Sequence, residues 1–156
     1  MTHNTQVSFL ALALGMTFGL GTMVLVFYNG VILGAVCFDY IRDGQGIFLA
    51  GWLLPHGAVE IPAILLASQA GLVLGHALLG WNSRVPRSER LRSVGPDLAT
   101  LAGGAAVFLV WAGIVESFFS QYHEPVVPYA AKIVFGVIEL MAVVYFFGFS
   151  GAQHDD

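Results

Sequence analysis

Positive charge is scarce in this chain: Arg42, Arg84, Arg87, Arg90, Arg92 and Lys132 are its only cations among 156 residues. Nucleic-acid binding needs a broad, clustered basic surface, so that class is excluded. Charge of either sign is short as well, at 10% of residues, where a soluble domain carries about 25%. The chain therefore lacks the material for a hydrated surface. Cys37 is the only cysteine, which rules out an internal disulfide and a multi-cysteine metal site. It lies in an apolar run and reads as a small packing residue. The first six residues contain no Lys or Arg, and the apolar stretch after them runs far past the core of a signal peptide.

What fills the chain is apolar. Hydrophobic residues make up 57% and the mean hydropathy is +0.78, which predicts an all-α, polytopic transmembrane bundle forming one domain over residues 1–156, with about four spans. Residues 7–38 form an uncharged run of 32, about 48 Å as one straight helix. A bilayer core is about 30 Å thick, so this run is either one strongly tilted helix or a helix broken near Gly19-Leu20-Gly21. Asp39-Tyr40-Ile41-Arg42-Asp43-Gly44 is a polar turn. The next apolar stretch, Ile47 to Leu79, contains Pro55 and Pro62. A residue before proline is biased away from helix, and proline suits a first helical turn. The pattern predicts a short entering segment, Ile47–Leu54, then a break or re-entrant turn and a main helix from Pro55 to Leu79, kinked at Pro62. Leu98–Phe119 and Tyr129–Phe149 are ordinary spans.

The loop 81–97 holds four of the five arginines and is assigned to the cytoplasm by the positive-inside rule. The cation-free link from Ser120 to Pro128 then lies outside, and the tail Gln153-His154-Asp155-Asp156 returns inside. Trp52, Trp81, Tyr122 and Tyr129 fall near predicted ends, where amphipathic rings favour the interface.

His56 and Glu60 are four apart and share a helical face. Ala63, Ala67, Ala70, Gly71 and, one turn on, Gly75 continue that region as a smooth small-residue stripe. Small residues let another backbone approach closely, so the pair is expected to press against protein. A carboxylate at mid-membrane is costly, about 2.5–3.5 kcal/mol on insertion scales, and calls for a partner or a task. Glu116 and Glu139 are two further intramembrane acids. Lys132 reads as a residue that snorkels to the interface. Asn29 is expected to hydrogen-bond between helices, with Gly15, Gly19, Gly30 and Gly34 as packing positions, within the chain or across a self-association interface. His56 and Glu60 could supply two ligands to a metal, with Glu116, Glu139 or another subunit as a third, but the two-histidine zinc-protease pattern is absent. Ser8, Ser68, Ser117 and Cys37 lack a nucleophile-elbow context. The residues thus point away from an enzyme and specify neither a metal nor a cofactor.

Three stretches carry a resemblance: His3-Asn4-Thr5-Gln6-Val7-Ser8-Phe9-Leu10-Ala11, Phe27-Tyr28-Asn29-Gly30-Val31-Ile32-Leu33-Gly34, and Leu54-Pro55-His56-Gly57-Ala58-Val59-Glu60-Ile61-Pro62-Ala63 running on into Ala70-Gly71-Leu72-Val73-Leu74-Gly75. With Glu116, they make the chain similar to the stage II sporulation protein M family of bacterial and archaeal membrane proteins. The resemblance implies Asn29, His56, Glu60 and Glu116 as motif positions and names no catalytic residue. The family's sporulation member is an inner-membrane part of a septal complex that holds peptidoglycan-degrading enzymes. Relatives often carry a further N-terminal segment with another span, so the resemblance also implies a short form or a piece of such a protein.

Two functional readings follow. One is a scaffold or subunit of an envelope-associated complex in a prokaryotic inner membrane, its partners being the lipid bilayer, other membrane proteins or further copies of itself. The other is a transport component with His56, Glu60, Glu116 and Glu139 along a polar or proton-linked path. The orientation is directly testable. A Ser83→Cys variant in a Cys37→Ser background should resist a membrane-impermeant thiol reagent in intact cells, and ready labelling would invert the topology.

Overall fold

A computed structural model describes residues 2–120, 122 and 126–149. The described residues are helical throughout apart from short turns. In chain order the helices are α1 (Thr2–Ala13), α2 (Leu20–Arg42), α3 (Gly46–Leu79), α4 (Arg87–Ser93), α5 (Gly95–Val115) and α6 (Tyr129–Phe149). A 3-10 turn, Leu14–Thr17, joins the first two, and a π turn, Glu116–Ser120, extends α5. Four helical segments are long and apolar enough to cross a membrane: Leu20–Arg42, Gly46–Leu79, Gly95–Phe119 and Tyr129–Phe149. The protein is an all-α, multi-pass membrane bundle. The tail at 150–156, and residues 121 and 123–125 of the link assigned to the outside, lie outside the described residues.

The long uncharged N-terminal run is broken, not tilted. The break falls at Phe18 and Gly19, whose φ angles of 59° and 82° are both left-handed. Such a conformation ends a right-handed helix and costs glycine little. The Thr17 hydroxyl donates to the Leu14 carbonyl at 2.6 Å and accepts the Gly21 N–H at 2.8 Å, satisfying groups that the break exposes. Over its 12 described residues α1 is about 18 Å long. It folds back beside α2 as a hairpin.

Both arms of this hairpin press on α3 through glycine. A Cβ added at Gly15 would lie 2.7 Å from Gly71 Cα, and one at Gly75 would lie 2.7 Å from Gly19 Cα. One at Gly71 would lie 2.7 Å from the Thr22 hydroxyl, which itself donates to the Ala11 carbonyl at 2.7 Å and is wholly buried. Three backbones thus meet where only hydrogen atoms fit between them.

The largest departure from the sequence reading is α3. It runs through Pro55 without interruption for 34 residues, with Pro55 and Pro62 both inside it, so Ile47–Leu54 is its first part and not a separate entering segment. At about 51 Å it overreaches a bilayer core. Proline is tolerated inside such a helix because neighbouring elements cover the groups it frees, and Pro55 is among the most fully buried residues of the chain. Helix α3 forms the axis: α5 and α6 pack most extensively on it, then α1 and α2. Helix α6 runs parallel to it, with Gly51 against Tyr129 and Gly136 against the Leu54 backbone. Ring contacts pair Phe119 with Phe135 and Phe108 with Phe147, so α5 and α6 are antiparallel. At its far end α3 closes on Gly80 (φ 59°), whose N–H returns to the His76 carbonyl at 3.0 Å.

The glycine junction gives a clear test. Gly71→Val should lower thermal stability in detergent by about 1–3 kcal/mol, the usual range for overpacking. Gly103→Ala, where nothing lies within 4 Å, should be neutral or mildly stabilising. Equal behaviour of the two variants would show that the close approach is absent.

Candidate functional site

The buried positions of α3 form a nearly continuous surface: Pro55, Gly57, Ala58, Val59, Glu60, Ala63, Ala67, Ser68, Ala70, Gly71 and Gly75. Glu60 is 4% exposed. Its carboxylate accepts a hydrogen bond from the Asn4 amide of α1, which joins the hairpin to the axis. The donor is therefore Asn4 and not His56. His56 stacks edge-on against Trp52, with ring centroids 5.6 Å apart, and its Nδ1 is buried without a hydrogen-bond partner. Glu116 and Lys132 both lie within electrostatic reach of it. Glu116 opens the π turn that ends α5, a local widening that frequently marks functional sites.

Lys132 overturns the snorkelling expectation. It is 1% exposed. The buried residues of α6 are Lys132, Gly136 and Glu139, spaced four and three apart and thus on one face. Gly136 brings that face so close to Leu54 that the positions flanking it are covered too. Glu139, 8% exposed, stands at the midpoint of α6, about 15 Å from either end. One of its oxygens accepts the Trp111 indole N–H from α5 at 2.6 Å. The other is buried with no partner.

The polar groups therefore form two interhelical ties, α1 to α3 and α5 to α6, with His56, Glu116 and Lys132 in a neighbouring charged group. Asn29 is not part of it. Its amide donates to the Leu25 carbonyl of its own helix at 2.9 Å, and the residue lines a groove between α1 and α2 together with His3, Gln6, Phe9, Tyr28 and Ile32. An amide on a helix can satisfy itself on the carbonyl of the preceding turn in this way. A Cβ added at Gly30 or Gly34, on the same helix, would meet nothing within 4 Å among the described residues, so these glycines are not packing positions there. Among the described residues no three His, Cys, Asp or Glu side chains converge as a metal site.

Two residues of this network, Asn4 and Trp111, did not stand out by sequence, and a third, Lys132, reads there as snorkelling. Asn4 could have, as an isolated amide in an apolar helix, where such a group calls for a partner. Trp111 carries no sequence signal that separates it from an interfacial ring. Lys132 shares a face with Glu139, but nothing in that spacing reveals the glycine-driven approach of α3.

A polytopic helical bundle whose polar side chains tie helices together is the class that these observations define. The family model for stage II sporulation protein M matches residues 1–121, and the chain belongs to that family. The matched stretch holds Asn29, His56, Glu60 and Glu116 and ends before α6. An uncharacterized protein of Methanocaldococcus jannaschii is 35% identical over 72 residues, 46% of this chain and 40% of that protein. The match thus spans well under half of the relative's length. No solved structure matches the chain significantly.

The α5–α6 tie can be weighed directly. Trp111→Phe should destabilise the protein by about 1–3 kcal/mol, because it leaves a buried carboxyl without its donor. Adding Glu139→Met should restore most of the loss, since removing both partners of a buried pair is close to neutral. A single variant as stable as the parent would show that the bond contributes nothing.

Proposed function

We propose that this protein is a scaffold subunit of an envelope-associated complex in a prokaryotic cell membrane, with α2 as the surface that receives a partner helix. The observation that carries the reading is the contrast in burial. Only 6% of the most apolar stretch of α2 is buried against the rest of the chain, while half of the corresponding stretch of α3 is. Thr22 is the one buried residue described on α2. Lipid alone could cover an apolar helix, but the groove beside α2 also presents His3, Gln6, Tyr28 and Asn29. Polar groups at such a face favour a protein neighbour that can hydrogen-bond, and Gly30 and Gly34 leave room for its backbone. The Asn4–Glu60 and Trp111–Glu139 ties support the same reading, since they give the intramembrane acids a packing role.

A second reading is favoured by one observation: His56 Nδ1 and one Glu139 oxygen are buried without partners, as they would be in a path that passes protons or a small solute. The two readings separate on Glu60→Gln. An amide keeps the packing and an acceptor, so a scaffold should retain its assembly, whereas a proton-linked transporter should stay folded and lose flux. Co-purification from native membranes in mild detergent, followed by mass spectrometry, should recover a partner membrane protein or a further copy of this chain. Gly30→Leu with Gly34→Leu should release that partner while the purified protein keeps its helical content and melting temperature. Recovery of the parent as a lone monomer would overturn the scaffold reading.

A further inference from the structure

The arginine-rich loop between α3 and α5 is built, not slack. Arg90 reaches back to the end of α3: its Nε donates to the Ala77 carbonyl at 2.9 Å and one Nη to the Val85 carbonyl at 2.6 Å, while the other Nη points at the Leu78 carbonyl, 3.5 Å away. The last carbonyls of a helix have no partner within it and lie at the negative end of its dipole, so a guanidinium is well suited there. Helix α4 is thereby fastened to the membrane-emerging end of one span, and α5 starts at Gly95, immediately after it. Both attachments set the height of the loop at the edge of the bilayer.

Arg90 is occupied by this fastening; Arg84, Arg87 and Arg92 are not. All three are exposed, and none of them makes a hydrogen bond or ion pair with the described residues of the protein. Trp81, 82% exposed, and Val85, 44% exposed, lie among them. Indole favours the headgroup level of a bilayer, so this ring anchors the loop where lipid phosphates lie. Guanidinium groups match phosphate geometry, and basic clusters just beyond a membrane span attract anionic lipid.

We infer that the loop of Arg84, Arg87 and Arg92, held at the bilayer edge by Arg90 and Trp81, is a binding surface for the phosphate headgroups of anionic phospholipids in the leaflet it faces. The three arginines contact lipid, and Arg90 is a positioning residue that acts through α4. This inference does not depend on the scaffold reading, because it concerns the opposite end of α3 from α2's terminus and needs no protein partner.

The test is reconstitution into phosphatidylcholine vesicles with and without a minority of phosphatidylglycerol, mild solubilisation, and quantification of the lipid retained on the purified protein. Phosphatidylglycerol should be enriched about fivefold over its share of the bilayer, the effect expected of roughly one well-placed basic side chain or more. The enrichment should collapse in high salt, where the screening length falls to about 3 Å. The Arg84→Gln, Arg87→Gln, Arg92→Gln triple variant should lose it while keeping its melting temperature in phosphatidylcholine. Arg90→Lys should weaken it although charge is conserved, because lysine cannot span the same carbonyls. Arg42→Gln, at the other membrane face, should leave it intact. Unchanged enrichment in the triple variant would overturn the proposal, as would equal loss in Arg42→Gln. So would phosphatidylglycerol retained only at its share of the bilayer.

Discussion

Inside hydrocarbon a polar side chain has no water to fall back on, so each one must be covered and bonded by protein or be excluded from the span. That constraint accounts for the position of α3. It carries two prolines, a histidine and a glutamate in one stretch, and it is the helix that all other spans surround. The surrounding is possible because glycine and alanine take the contact positions. Gly71 and Gly75 admit the α1–α2 hairpin at backbone distance, and Gly136 admits the backbone of Leu54. Close approach and polar burial are one feature: the same seams that bring backbones together also shut Glu60, Lys132 and Glu139 away from lipid.

The spans were legible from the sequence because hydropathy reports directly on what a bilayer accepts. The N-terminal break was legible as one of two options, since an uncharged run longer than a membrane is thick has to tilt or turn, and paired glycines offer the turn. Pro55 was misleading for a physical reason. Its bias against helix in the residue before it is a local preference worth little once α6 packs against that residue's backbone, and in a membrane the alternative to helix leaves more backbone groups unsatisfied. Local preference lost to burial.

The site was legible in part and along a clear division. His56 and Glu60 announce themselves through spacing on one helix, which sequence records. Their partners do not, because Asn4 meets Glu60 across 56 positions and Trp111 meets Glu139 across 28. Such pairs depend on which glycine seam brings two helices together and in what register. Lys132 shows the same limit from the other side: snorkelling is the correct expectation for a lysine one turn inside a span, and it fails only because Gly136, four residues on, draws the whole face against α3. Asn29 fails in the opposite sense: it lines an open groove on a helix that is largely exposed, and its amide returns to Leu25.

These two failures together describe how the molecule divides its polar groups. On α3, α5 and α6, polar side chains are covered and tied between helices, at considerable desolvation, by contacts that make the core rigid. On α2 and the neighbouring face of α1, polar side chains of similar chemistry stay half-covered and satisfy themselves locally or line an open groove. A fold that buries a lysine one turn inside a span has ample means to bury an asparagine. The Asn29 face stays uncovered, with glycines on the same helix that none of the described residues approaches, and this contrast with the covered core is what the proposed docking surface rests on.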